Sequence, residues 1–362
     1  MTEFSYEAAE RLPDAEREAI LANPGFGKAF TDHMVSITWT REGGWHDARV
    51  MPYGPIAVDP ASSVLHYGQE IFEGIKAYRH PNGDIVTFRP EANARRLNES
   101  ARRLALPELP EELFVRAVEE LVRADAAWVP TGYDQSLYIR PFMIADENFL
   151  GVRAAEQARF MVIASPAGPY FTGGVKPVSI WLSEHYARAG HGGTGAAKCG
   201  GNYAASLLPT QIAQQNGCAQ VLFTDSATED RIDELGGMNL FLVRADGTLV
   251  TPELNGNILD GVTRRSLIEL AKDRGHAVEE RAVTISEWRE GVADGSITEA
   301  FACGTAAVIA AIQSLKGEEG TLLDFGDGAP GALTISLREE LTGIQFGAVP
   351  DPHGWVHRIV AA

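Results

Sequence analysis

Gly192-Gly193-Thr194-Gly195-Ala196-Ala197-Lys198-Cys199-Gly200-Gly201-Asn202-Tyr203 sets one lysine among glycines, and a helical pattern near 202–216 follows at once. Glycine allows close backbone approach and dihedrals closed to other residues, which suits a loop wrapped around a ligand. The same stretch also fits a flexible surface loop with a solvated lysine. A nucleotide P-loop does not fit. That motif ends in Gly-Lys-Ser/Thr, whereas Lys198 follows Ala197 and precedes Cys199, leaving no magnesium-binding hydroxyl. What remains is a lysine that forms a Schiff base. Its amine attacks a carbonyl only when neutral, a state favoured by desolvation or nearby cations.

Pyridoxal phosphate (PLP) is one aldehyde that a Schiff-base lysine can carry. It needs an anion site for its phosphate, an acid at its ring nitrogen and a donor at its phenolic oxygen. Asp260-Gly261-Val262-Thr263-Arg264 opens a helix read at about 263–275, whose first amides suit a phosphate. The plain alternative is a helix start capped by Thr263. Phe301-Ala302-Cys303-Gly304-Thr305-Ala306-Ala307 ends a strand in a second Gly-Thr turn, with the same two readings. Glu234 precedes Leu235-Gly236-Gly237-Met238-Asn239, a turn into a strand at 238–244, and is either the ring-nitrogen acid or a solvated carboxylate. Tyr203 is either the phenolic-oxygen donor or a core tyrosine.

The rest of the chain sets bounds on this reading. It has 362 residues, 45% hydrophobic and 22% charged, with a net charge of −18. That length predicts about two domains and a sizeable core. The acidic excess argues against nucleic-acid binding, which needs a clustered basic surface. Met1-Thr2-Glu3-Phe4-Ser5-Tyr6-Glu7 is acidic and unlike a signal peptide. The apolar run Ala300 to Ile312 is short of the roughly 20 residues that span a bilayer. Cys199, Cys218 and Cys303 are odd in number and widely spaced, which fits neither a disulfide framework nor a zinc site. A cytoplasmic protein with no membrane partner and no metal is expected.

Strand-like stretches at 34–40, 84–89, 136–143 and 158–165 surround amphipathic helices over about 91–105 and 110–127. Further strands are read near 176–182, 219–224, 238–244, 277–284 and 298–303, and helices near 202–216, 263–275, 286–294 and 332–342. The Pro- and Gly-punctuated stretch from Pro166 to Gly174 is the linker candidate. It divides the chain into an N-terminal domain at 1–165, a linker at 166–175 and a C-terminal domain at 176–362.

Taken together and in order, these residues resemble the branched-chain amino acid aminotransferases, fold type IV PLP enzymes of the class IV aminotransferases. The likeness runs through Phe26-Gly27-Lys28-Ala29-Phe30, Leu65-His66-Tyr67, Phe72-Glu73-Gly74, Phe88-Arg89-Pro90 with Asn93 and Arg96, and Tyr138-Ile139-Arg140-Pro141. It continues through Lys198 with Gly200-Gly201-Asn202-Tyr203, Glu234, Gly261-Val262-Thr263-Arg264 and Gly304-Thr305-Ala306. The resemblance implies an α+β chain of two domains, a smaller N-terminal α/β domain and a larger C-terminal pseudo-barrel. It implies reversible amino transfer between L-leucine, L-isoleucine or L-valine and 2-oxoglutarate, in a homodimer whose subunits lend residues to each other's pockets. Lys198 is then the Schiff-base lysine and proton shuttle. Arg96, Val262, Thr263 and Thr305 hold the cofactor phosphate, Glu234 faces the ring nitrogen and Tyr203 the ring oxygen. Phe26, Tyr67, Tyr138, Arg140 and Tyr170 form the substrate wall, and the Thr305 and Ala306 amides take the α-carboxylate.

Two departures stand out. Gly237 lies where animal relatives carry threonine, and Ala307-Val308-Ile309-Ala310 replaces a redox-sensitive CxxC of some animal members. The nearest rivals are a D-amino acid aminotransferase and an aminodeoxychorismate lyase, generally shorter chains without the block at 26–40. A non-catalytic ligand-binding relative is the rival of another class.

Overall fold

The computed structural model describes residues 3–132, 134–170, 175–228, 230–326 and 328–362. The chain forms two compact units. Met1–Tyr170, Ala197–Gly200 and Gly343–Ala362 make the first, and Phe171–Ala196 with Gly201–Thr342 the second.

The first unit begins with β1 (Ser5–Tyr6), α1 (Asp14–Ala22), β2 (His33–Thr40), β3 (Gly44–Pro52) and α2 (Ser63–Tyr67). It continues with β4 (Glu70–Phe72), β5 (Ile75–Arg79), β6 (Ile85–Phe88), α3 (Pro90–Arg103), α4 (Glu111–Ala124), β7 (Ser136–Ala145) and β8 (Gln157–Ala167). Alternation along β7 buries Leu137, Ile139 and Met143 and leaves Tyr138, Arg140 and Phe142 on the other face. Against the apolar face lies α4, whose Phe114, Ala117, Val118 and Leu121 recur at helical spacing.

This sheet is broken at one point. Phe72 pairs with Phe142 and Ile75 with Ile139, so β4 and β5 are one strand interrupted opposite Pro141 and Arg140. Proline has no N–H to return across that gap, though the Glu73 N–H still donates to the Pro141 carbonyl at 2.7 Å.

The second unit holds β9 (Val178–Leu182), most of α5 (Gly200–Gln215), β10 (Gln220–Thr224), β11 (Ile232–Leu235), β12 (Asn239–Arg244) and β13 (Leu249–Pro252). Then come α6 (Val262–Asp273), β14 (Val278–Arg281), α7 (Ile285–Asp294), β15 (Ile297–Gly304), β16 (Val308–Gly317), β17 (Gly320–Asp324) and α8 (Ala332–Gln345), whose last turn belongs to the first unit. Its sheet runs β11-β10-β9-β16-β15-β12-β13-β14, with β17 on β16. The final strand, β18 (Val356–Val360), pairs antiparallel with β6 and completes the first sheet, in the order β1-β3-β2-β8-β7-β5-β6-β18.

Several sequence expectations change here. The C-terminal residues 343–362 belong with the first unit, because β18 finds its backbone partner there, so the second unit is shorter than the span 176–362. Pro166 and Ala167 are still in β8, paired with Leu137 and Ser136. The last β2 pair on the other side is at Val162, so the missing N–H of Pro166 costs no β2 bond. Of the linker candidate, residues 171–174 lie outside the described residues. The apolar run 300–312 is two antiparallel strands joined at Thr305–Ala307. Among the described residues, no helix is long and apolar enough to cross a membrane.

Candidate active site

In the first unit, one contact path links Lys198 to the expected substrate wall. The Lys198 N–H donates to Ser100 Oγ at 2.8 Å, and its carbonyl accepts the Phe72 N–H at 2.9 Å. Its Nζ stands 4.8 Å from the centre of the Phe72 ring. The Arg140 guanidinium lies 4.7 Å from the same ring and donates to Tyr138 Oη at 2.9 Å. Phe26 meets Tyr138 edge-on, with ring centres 5.1 Å apart. Arg140 Nε is buried with no hydrogen-bond partner, an orphaned cationic donor that suits a carboxylate.

Arg96 is buried on α3 and pairs with Glu73, Nη2 to Oε2 at 2.7 Å. Asn93, Arg96 and Ser100 are i, i+3 and i+7 on that helix and share a face. Tyr67 engages elsewhere: at the end of α2, its hydroxyl donates to the Leu150 carbonyl and its ring is half-exposed. Tyr170 is half-exposed at the last residue of the first segment.

In the second unit, Glu234 is buried on β11 rather than solvated. Its carboxylate accepts from Asn239 Nδ2 at 2.9 Å and the Leu259 N–H at 3.0 Å, and it pairs with Arg188. Arg188, itself buried, also donates to the carbonyls of Gly195 and Asn257. The glycine loop is thereby fastened to the carboxylate. At Gly195 a β-carbon would stand 2.3 Å from the Asn257 carbonyl oxygen, so that glycine serves close packing rather than flexibility.

Of the phosphate candidates, Val262, Thr263 and Thr305 belong to the second unit and lie toward one end of this sheet. Asn239 pairs with Cys303, so the turn entering β12 and the turn leaving β15 lie side by side, and Thr305 and Ala306 sit in the latter. Gly304 packs on Met238, and Gly261 packs so closely on Asn239 that a β-carbon would fall 2.1 Å from its Oδ1. Helix α6 starts from there. Its N-cap is Gly261, with no side-chain cap, so Thr263 lies inside the first turn instead of capping it. That leaves the first amides of α6, with Val262 and Thr263, uncapped by a side chain. Tyr203, half-buried on α5, has Cε1 3.8 Å from where a β-carbon at Gly237 would be. Burial pushes the Cys303 thiol well up, with Glu234 adding to the rise and Arg264 opposing it.

Sequence reading assigns no role to Arg188, Glu73, Asn239 or Ser100. Ser100 carries a signal, its helical spacing from Arg96. Arg188 carries none, because nothing local ties it to Glu234.

Residues 70–315 match the family model described as amino-transferase class IV. The chain is 57% identical over 350 residues to the branched-chain-amino-acid aminotransferase of Mycolicibacterium smegmatis, covering 96% of this chain and 95% of the relative. The crystal structure of the Escherichia coli branched-chain amino acid aminotransferase superposes with a TM-score of 0.74 at 27% identity, covering 90% of this chain and 100% of that one. The branched-chain amino acid aminotransferase from Thermobaculum terrenum, solved in its PLP form, gives a TM-score of 0.73 at 25% identity, covering 91% and 98%. With that family model spanning most of its length, and a near full-length relative at this identity, the chain belongs to the class IV aminotransferases.

Proposed function

We propose that this enzyme reversibly moves the amino group of L-leucine, L-isoleucine or L-valine to 2-oxoglutarate, giving branched 2-oxo acids and L-glutamate, with PLP as cofactor. The observation that carries the reading is the 57% identity to a branched-chain-amino-acid aminotransferase along almost the whole of both chains. The residues fit the cofactor. A lysine, a buried arginine, an uncapped helix start with a threonine and a carboxylate fixed by several donors make the donor set that PLP requires.

The cofactor supplies the electron sink for charge developing at the substrate α-carbon. Lys198 Nζ would hold the cofactor and would be the base that moves the proton of the substrate α-carbon. Arg96, the amides of Val262 and Thr263, and Thr305 would hold the phosphate. Glu234, fixed by Arg188, Asn239 and the Leu259 amide, would serve the ring nitrogen, and Tyr203 would serve the ring oxygen.

One pocket must take both a leucine side chain and the second carboxylate of glutamate. The walls of Phe26, Tyr67, Tyr138 and Tyr170 exclude water from the apolar side chain, whose burial is worth roughly 1.5–3 kcal/mol. Arg140 and the phenols bind the carboxylate, and the Thr305 and Ala306 amides take the α-carboxylate. Tyr67, engaged with Leu150, fits a residue lent to the pocket of a second subunit, and a homodimer in the cytoplasm follows from this reading. Transamination of 2-oxoglutarate by L-leucine but not D-alanine, together with a cofactor absorbance that survives dialysis, is expected. A preference for D-alanine, or a colourless inactive protein, overturns it.

A further inference from the structure

The carboxylate of Glu73 has no part in the function above, yet it is fully buried. Continuing the alternation of β4 places it on the buried face beside Ile71. Arg96 meets it edge-on, Nε to Oε1 at 2.8 Å and Nη2 to Oε2 at 2.7 Å. Asn93 Nδ2 donates to Oε2 at 2.8 Å, and the Gly74 N–H reaches the same oxygen at 3.2 Å. A two-point contact of this kind fixes the rotation of the guanidinium plane as well as its place. The residue before it, Phe72, is bonded to the Lys198 carbonyl, and the Glu73 N–H donates to the Pro141 carbonyl at 2.7 Å.

Burial pushes the Glu73 carboxyl up, but the charge and hydrogen bonds of Arg96, then Lys198 and Asn93, outweigh it and hold the group below the usual carboxylate range. A buried ion pair adds little net stability over an apolar pair of similar volume. Fold stability alone is therefore a weak account of this one.

We propose that Glu73 is a positioning residue for the cofactor. It locks the Arg96 guanidinium in the orientation that receives the phosphate, and it sets the negative charge felt at Lys198 Nζ. The inference rests on the reading of Arg96 as the phosphate arginine.

Glu73→Gln keeps the shape of the side chain and removes its charge. In that variant the dissociation constant for PLP, measured on the resolved protein, rises about tenfold or more. The pH midpoint of the bound cofactor's visible absorbance falls, because the lost anion no longer favours the protonated nitrogen at Lys198. Glu73→Asp restores charge with a shorter reach, so the midpoint returns toward the parent value while affinity stays weak. In an Arg96→Ala background, Glu73→Gln weakens PLP binding by less than about twofold.

A folded Glu73→Gln protein with parent affinity and midpoint overturns the inference, as does a fully additive loss in the Arg96→Ala background. Should Glu73→Gln not fold, parent affinity in Glu73→Asp overturns it. Parent affinity in Arg96→Ala alone removes the phosphate reading itself, and this inference with it.

Discussion

Glu70 and Glu73 lie three residues apart where β4 leaves its sheet, and their carboxylates meet opposite kinds of partner. Glu70 accepts the backbone N–H of Gly200, two residues beyond Lys198. Glu73 instead grips the Arg96 guanidinium. One is tied to the lysine turn and the other to the helix behind it.

The two should therefore answer pH with opposite signs. Glu73 is held below the usual carboxylate range. Its contribution is fully present above the unfolded value of about 4.3 and is lost as pH falls through the folded value. Burial raises Glu70, against the Gly200 amide and Arg140, so its charged form costs stability as pH rises through that raised value. Glu70→Gln should raise the melting temperature at pH 7 by about 1–3 °C and lose that gain below about pH 4. Glu73→Gln should flatten the loss of stability that sets in as pH falls below about 4.3. Melting curves from pH 3 to 8 check both, and a Glu70→Gln protein no more stable than its parent at pH 7 would contradict the first.

Lys198→Ala should leave a folded protein whose transaminase rate is at least about a thousandfold lower. Its visible cofactor absorbance should disappear on dialysis. Borohydride reduction and peptide mapping of the parent protein should find the pyridoxyl adduct at Lys198, and an adduct at another lysine would refute the assignment.

At Gly74 a β-carbon would stand 2.4 Å from Tyr138 Oη. Gly74→Ala must push the phenol aside and strain its bond to Arg140. We expect kcat/KM for L-leucine to fall about 10–100-fold with a much smaller change in melting temperature. An unchanged kcat/KM would mean that Tyr138 does not line the substrate site.

Gly195 and Gly237 should tolerate a methyl group very differently. At Gly195 the clash is with backbone, so Gly195→Ala should cost about 1–3 kcal/mol and lower the melting temperature by several degrees. At Gly237 the new carbon makes an ordinary 3.8 Å contact with Tyr203, and Gly237→Ala should melt with the parent. Equal melting temperatures for the two variants would show that the loop yields.

Local pattern made much of this chain legible. Phe114, Ala117, Val118 and Leu121 repeat at helical spacing, and α4 forms over 111–124, close to the expected 110–127. By contrast β18 carries no signal of its first-sheet membership, because its partner β6 is some 270 residues earlier in the chain. The run 300–312 misleads for a related reason: two buried strands and their tight turn read as one apolar stretch.

From its residues alone, the chain declared the order of its motifs and most of its helices. These depend on residue type and short-range spacing, which are written in order along the chain. Tertiary structure alone decided that Arg188 fastens the glycine loop to Glu234, that Glu73 grips Arg96, and that residues 343–362 return to the first sheet. None of those partners is a local neighbour in the chain, and a donor finds its acceptor only once the backbone has brought the two together.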